Sequence, residues 1–199
     1  MSVDTASAPG DGFILASASP RRLQLLAQIG LAPDSVQPTD INEDPVPGEL
    51  PKPHALRLAT EKALAASARF PGEVVLAADT VVGVGRRILP KTLQRDEAEH
   101  CLRLMSGRAH RVYTGVCVID ADGVSRSRVS ETRLKMKRLS EVELSNYLDS
   151  EEWHGKAGGY GIQGKAGAFI PHLSGSYTGV VGLPVFETTA LLRAAGVNA

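Results

Sequence analysis

The segment Leu15-Ala16-Ser17-Ala18-Ser19-Pro20-Arg21-Arg22 constrains the fold more than any other stretch of the chain. Phe13 to Ala16 reads as a short buried strand, and Ser19-Pro20 follows at once as an N-cap and a first helical residue. A strand therefore delivers the chain straight into a helix N-terminus, where free backbone N–H groups and the helix dipole favour an anion. Arg21 and Arg22 fall in the first helical turn, the wrong charge for an isolated helix. The conflict disappears if a phosphate chain is held there by the N–H groups, the Ser17 or Ser19 hydroxyl and two guanidinium forks. The alternative is a solvated surface pair. Removing either arginine is expected to stabilise the ligand-free protein slightly, because the dipole conflict is relieved.

Beyond that junction, helix and strand signals alternate along the whole chain. Leu23, Leu26 and Ala27 give one helical face that Gly30 stops. Pro53 opens a longer helix to about Phe70, with Ala55, Leu58, Ala59 and Lys62 on one arc. Glu73 to Val84 is a strand, and Gly85 permits a hairpin into Arg87-Ile88-Leu89. Asp96 to Met105 is a helix ended by Ser106-Gly107. Val112 to Ile119 and Ser127 to Lys137 are paired strands around Asp122-Gly123. Ser140 with Glu143 is a capping box for a helix to about Leu148. The glycine-rich stretch Gly155 to Gly167 leads into strand-like Ala168-Phe169-Ile170, and Leu183 to Ala195 closes the chain as a helix. The pattern predicts an α/β (mixed α+β) domain over 13–199, built on a mixed sheet, with two halves flanking a cleft; residues 1–12 form a disordered tail.

Candidate chemistry concentrates in few residues. Asp79 interrupts the apolar run Val74 to Val82, and a carboxylate inside a buried strand is costly unless it is paired or bound to a metal. It is a strand-held metal ligand or general base, or else a structural aspartate bonded to backbone donors. Glu43, in Asp40-Ile41-Asn42-Glu43-Asp44, offers a second oxygen ligand for a hard cation such as Mg²⁺. Lys62 and Lys91 are natural counter-charges in a phosphate site, or else snorkel harmlessly. Gly159 to Lys165 has Walker A spacing, but Ala166 stands where the Mg²⁺-binding hydroxyl belongs and the sequel looks like strand, which excludes a P-loop. Gln163 is then a carboxamide facing a ligand, or else a loop glutamine bonded to its own turn. Gly83-Val84-Gly85 lacks the third glycine of a dinucleotide fingerprint, and the five histidines show no zinc spacing.

Taken in order, Leu15 to Arg22, Ala78-Asp79-Thr80, Leu104-Met105-Ser106-Gly107 with His110 to Val116, Lys156-Ala157-Gly158, Gly161-Ile162-Gln163-Gly164 and Val181-Gly182-Leu183-Pro184 resemble the Maf family. The resemblance implies a fold like that of the inosine triphosphatase group, with two lobes around a central cleft. It also implies a nucleoside triphosphate pyrophosphatase that depends on a divalent cation, Mg²⁺ or Mn²⁺, and works in the cytoplasm, often as a homodimer. The family's catalytic aspartate falls on Asp79, its substrate-choice positions on Arg21, Thr80 and Gln163, and further pocket positions on Ser17, Arg22, Glu43, Lys62 and Lys91. Arg21 and Gln163 resemble the dTTP/UTP branch, whereas the 7-methyl-GTP branch has tryptophan and glutamate there. Leu89-Pro90-Lys91-Thr92 departs from the Glu-Lys-Pro of many members but keeps the lysine. A carboxamide can donate to O4 and accept from N3–H of thymine or uracil; rejection of cytosine needs that amide held in one orientation.

Composition narrows the partners. Twenty-two Lys+Arg balance twenty-two Asp+Glu, so non-specific nucleic-acid binding through a basic strand is disfavoured. No apolar run approaches the ~18 residues of a membrane span, and Met1 to Gly12 lacks the features of a secretory signal. Cys101 and Cys117 read as thiols of a reducing compartment. Besides pyrophosphatases of other nucleotides, the remaining class is a cell-division regulator acting by protein contacts, for which no peptide-binding signature is visible.

Overall fold

The computed structural model describes residues 12–199, so the tail expected over residues 1–12 lies outside the described residues except for Gly12. A seven-stranded mixed sheet organises the chain. Its central strand, β3 (Val75–Val84), pairs along nearly its whole length with the antiparallel β6 (Ala109–Ile119), placing Asp79 opposite Gly115 and Thr80 opposite Thr114. β6 turns through Gly123, in the left-handed region at φ 81, into β7 (Ser125–Lys135), and β9 (His172–Ser174) adds to the β7 edge.

The opposite edge of β3 is shared by two short strands. β1 (Ile14–Leu15) lies parallel beside Val75 and Leu76, with β2 (Ser35–Val36) outside it, and β4 (Arg87–Leu89) returns antiparallel beside Val82 to Val84. Among the described residues no strand pairs with β3 between these two stretches, and Asp79 sits in that gap. The gap divides the molecule into two lobes.

Helices cover both faces of the first lobe. α2 (Pro51–Ser67) lays Ala59, Ala63 and Ala66 on Val75 and Ala77. α1 (Pro20–Gln28) and α6 (Val185–Ala194) pack Leu25, Leu26, Leu191 and Leu192 against Leu76 and Ala78 on the other face. The second lobe gathers α3 (Arg95–Met105) and α4 (Glu141–Asp149) around Met105, Leu134, Tyr147 and Trp153. A two-stranded ribbon, β5 (Lys91–Thr92) with β8 (Lys156–Ala157), closes this lobe over the cleft. The mixed-sheet, two-lobed architecture is the one expected.

Local departures have physical causes. α2 begins at Pro51, because this proline already supplies the fixed φ of a first helical residue. On α1 the buried pair is Leu25 and Leu26, while Ala27 is exposed: the sheet selects the larger side chains. Ala168 to Ile170 is no strand. Lys165–Phe169 forms a 3-10 turn held by Gly167 N–H donating to Gly164 O and Ile170 N–H to Gly167 O. α6 starts at Val185, leaving Leu183 and Pro184 outside it. β2, β5, β8, β9 and the short helix α5 (Tyr177–Val181) carry too little periodicity to be foreseen.

Helix α2 and strand β6 come into backbone contact at Gly115. A Cβ on Gly115 would stand 2.3 Å from Ala55 O and 2.7 Å from Ala55 C, both backbone atoms. Gly115→Ala is therefore expected to lower stability by roughly 1–3 kcal/mol through overpacking. Urea unfolding checks it, and a wild-type midpoint would mean that helix and strand are not in backbone contact.

Candidate active site

The gap in the β3 edge opens into a cleft of about 380 Å³, the size of a small-molecule site. Ser17, Arg21, Arg22, Glu43, Lys62, Asp79, Thr80, Lys91 and Gln163, scattered over nearly 150 positions of sequence, all line it. They arrive on six separate supports: the β1–α1 junction, the 38–50 loop, α2, β3, the ribbon strand β5, and the glycine-rich turn after β8.

At the floor, Asp79 is 2% exposed and Lys62, from the alanine face of α2, is 6% exposed. Lys62 Nζ lies 2.5 Å from Asp79 Oδ1 and 2.5 Å from Glu43 Oε1, and Lys91 Nζ bonds the other oxygen of Glu43. The result is an alternating row, Lys91–Glu43–Lys62–Asp79. Buried charge of this kind persists only when paired, since the desolvation cost of each ion is several kcal/mol. Burial raises the Glu43 carboxyl, but the hydrogen bonds from Lys62 and Lys91 outweigh it and bring it down to about 2. The loop that carries Glu43 is fastened to α2. Arg57 donates to Asp44 O at 3.0 Å and to Glu49 at 2.8 and 2.9 Å, and His54 Nδ1 lies 2.8 Å from the same carboxylate. Arg57 is the main reason that Glu49 also falls to about 2.

The other wall is cationic. Arg21, Arg22 and Lys156 all face the cleft. Burial lowers the pKa of each, and the charge of Arg21 lowers Arg22 and Lys156 further. Among the described residues no carboxylate is bonded to any of the three, and the arginine pair offers a seat for a polyanion.

The structure divides the arginine pair, however. Arg22 Nε donates to Gly182 O at 2.8 Å and Nη1 to Ser17 Oγ at 2.6 Å, so this guanidinium clamps α1 to the loop after α5. Ser17 Oγ also accepts from Ser19 N–H at 3.2 Å, while the Ser19 side chain caps nothing in α1. Thr80 is steadied from β6: the Thr114 hydroxyl lies 3.0 Å from Thr80 Oγ1 and donates to Gly179 O at 2.7 Å. Gln163 lies exposed at the rim beside Gly161.

Lys156 was not foreseen as a site residue. The available signal was its being the single cation in the glycine-rich run Gly155 to Gly164. His110, by contrast, is a core residue. Burial pushes it down to about 4, and its Nε2 meets Tyr160 Oη at 2.7 Å. Among the described residues no three His, Cys, Asp or Glu side chains cluster as a metal cage.

Comparison with known proteins agrees in kind. Residues 12–195 match the family described as Maf-like protein. A dTTP/UTP pyrophosphatase of Caulobacter vibrioides is 57% identical over 189 residues, covering 95% of this chain and 98% of that one. Another of that name, from Novosphingobium aromaticivorans, is 57% identical over 186 residues, 94% of this chain and 92% of its own. Among solved structures, a HAM1 protein from Coxiella burnetii shares the fold with a TM-score of 0.54 at 14% identity, over 92% of this chain and 99% of that chain.

The Arg22 clamp reverses the stability expected from the helix dipole alone. Two charge-assisted hydrogen bonds outweigh a dipole penalty of a few tenths of a kcal/mol, so Arg22→Ala should cost about 1–3 kcal/mol. Thermal unfolding of the ligand-free protein measures this, and a raised Tm would restore the dipole account.

Proposed function

Because this chain belongs to the family of Maf-like proteins, we propose that it is a nucleoside triphosphate pyrophosphatase acting on dTTP and UTP. The observation that carries the reading is the pairing, in one cleft, of a carboxylate–lysine row, buried at Lys62 and Asp79, with a cationic wall. The row can handle a proton, and the arginines of the wall can hold a triphosphate.

The reaction requires water to attack the α-phosphorus while the α–β bridging oxygen leaves with its electron pair on pyrophosphate. Asp79 accepts the proton of the attacking water; it is the deepest carboxylate, it sits at mid-strand, and Lys62 holds it in one place. Lys62 and Lys91 spread positive charge across the phosphates, where anionic oxygens develop. Arg21 and the part of Arg22 not spent on its clamp bind the chain, beside the α1 N-terminus. Gln163 and Thr80 read the base: the carboxamide meets the O4 and N3–H edge that thymine and uracil share.

The donor set also suits a hard divalent cation. Glu43 and Asp79 bring carboxylate oxygens to either side of Lys62, and Mg²⁺ commonly takes one or two carboxylates plus substrate phosphates in place of a full protein cage. Bound there with the substrate, Mg²⁺ or Mn²⁺ would neutralise phosphate charge and acidify a water. In the same reading the protein works in the cytoplasm, which suits two free buried thiols, and as a homodimer, on free nucleotides and not on nucleic acid or membrane. No helix among the described residues is long and apolar enough to cross a membrane.

Pyrophosphate release from dTTP, UTP, CTP, GTP and 7-methyl-GTP, with Mg²⁺ or Mn²⁺, tests the reading. Wild type should favour dTTP and UTP, and Asp79→Asn should lose roughly 10²–10⁴-fold in kcat while remaining folded. Turnover at the wild-type rate in folded Asp79→Asn would remove that residue from the chemistry. Gln163→Glu sets an acceptor against O4, so its dTTP-to-GTP ratio of kcat/KM should fall; a ratio within about twofold of wild type would mean that Gln163 does not read the base.

A further inference from the structure

One group in the cleft has no part in the mechanism above. Lys156 lies on β8, and its backbone is fixed by buried contacts: its N–H donates to Trp153 O at 3.2 Å, and the fully buried Thr92 hydroxyl reaches Trp153 O at 3.0 Å and Lys156 O at 3.4 Å. Its side chain runs along Gly161. A Cβ on Gly161 would stand 3.0 Å from Lys156 Cε, 3.1 Å from Lys156 Cδ and 3.2 Å from Gln163 Nε2. The absence of a side chain at Gly161 is thus what lets lysine and carboxamide share one spot on the cleft wall.

The end of the cleft that Lys156 occupies is also defined. The contacts of the carboxylate–lysine row are all made by Lys62 and Lys91, whereas Lys156 stands beside Gln163, the side chain assigned to the base. Its ammonium forms no hydrogen bond within the protein among the described residues.

We propose that Lys156 is a specificity-determining residue that selects a keto oxygen over an amino group at C4 of the pyrimidine. An ammonium has three donors and no acceptor, so it can bond O4 of uracil or thymine but faces N4–H₂ of cytosine donor to donor. A carboxamide alone cannot make that distinction, since half a turn of the amide exchanges its donor and acceptor. The lysine breaks the symmetry: O4 accepts from the ammonium and from Gln163 Nε2, one lone pair each, which leaves Gln163 Oε1 to accept from N3–H. The selection of small keto pyrimidines then belongs to a pair of side chains, one adaptable and one not.

The inference rests on the pyrophosphatase reading and is tested apart from it. In Lys156→Met the UTP-to-CTP ratio of kcat/KM should fall by about tenfold or more, because UTP loses a bond that CTP never made. Lys156→Arg, which keeps a donor, should retain most of the ratio. A second measurement needs no variant: calorimetric binding to wild type should favour UMP over CMP by about tenfold. Loss of UTP and CTP turnover by one common factor in Lys156→Met would make the lysine a phosphate counter-charge and overturn the proposal. Equal affinity for UMP and CMP would do the same. If wild type cleaves neither dTTP nor UTP, the pyrophosphatase reading itself fails; if it cleaves them with an unaltered ratio in Lys156→Met, only the role of Lys156 does.

Discussion

A carboxylate at the centre of a sheet must be answered by a cation, and the contact between Lys62 and Asp79 meets that demand here. Much of the surrounding architecture serves it. Asp79 can be reached only because the β3 edge is left open between β1 and β4. Lys62 can reach it only because α2 presents Ala55, Ala59 and Ala63 to the sheet, and because Gly115, across from Asp79, lets the helix backbone come down on β6. Larger residues on either surface would lift the ammonium away and leave two buried charges unpaired, a loss of several kcal/mol. The small residues around the site are thus spacing elements, and their contribution to hydrophobic burial is secondary.

Charge in the cleft is arranged in two unlike halves. On one side, lysines and carboxylates alternate and nearly compensate each other, so this half holds protons and positions. On the other, burial lowers the proton affinity of Arg21, Arg22 and Lys156, and the charge of Arg21 adds to it at the other two, so this half favours an electron-rich ligand. Neither half relies on a single element to hold it. The Glu49–Arg57–His54 network anchors the loop of Glu43, and the Arg22 clamp joins α1 to the loop at Gly182. The first network includes none of the groups assigned to the chemistry, whereas Arg22, like Lys62, carries both a structural and a binding duty.

Those two residues show how far sequence reasoning reaches. Lys62 was legible as a lysine on an apolar helical arc, and its partner as a lone carboxylate in an apolar strand. Their meeting was not, because nothing local says which helix crosses which strand. Arg22 was legible as a charge at odds with its helix, but the resolution lies 160 positions away at a backbone carbonyl, so no periodicity could announce it. The 3-10 turn at Lys165–Phe169 escaped for the opposite reason: hydrogen bonds over three residues to the carbonyls of Gly164 and Gly167 leave no hydrophobic period to read.

The amino-acid sequence alone determined the elements whose energetics are local. These include the strand-to-helix junction at Ser17 to Arg22, the hairpin through Gly123, the capping box at Ser140 and Glu143, and the alternation that buries Thr132, Leu134 and Met136. It also marked Asp79 as chemically exceptional, since the cost of burying a carboxylate is the same in any fold. Tertiary structure decided what those residues do for one another: which lysine answers Asp79, which arginine is spent on a clamp, and that Lys156 and Gln163 meet over Gly161. The physical reason is range. Propensity and capping act over a few residues along the chain, whereas electrostatic pairing acts over a few ångströms in space, and only the packed sheet and its helices convert one distance into the other.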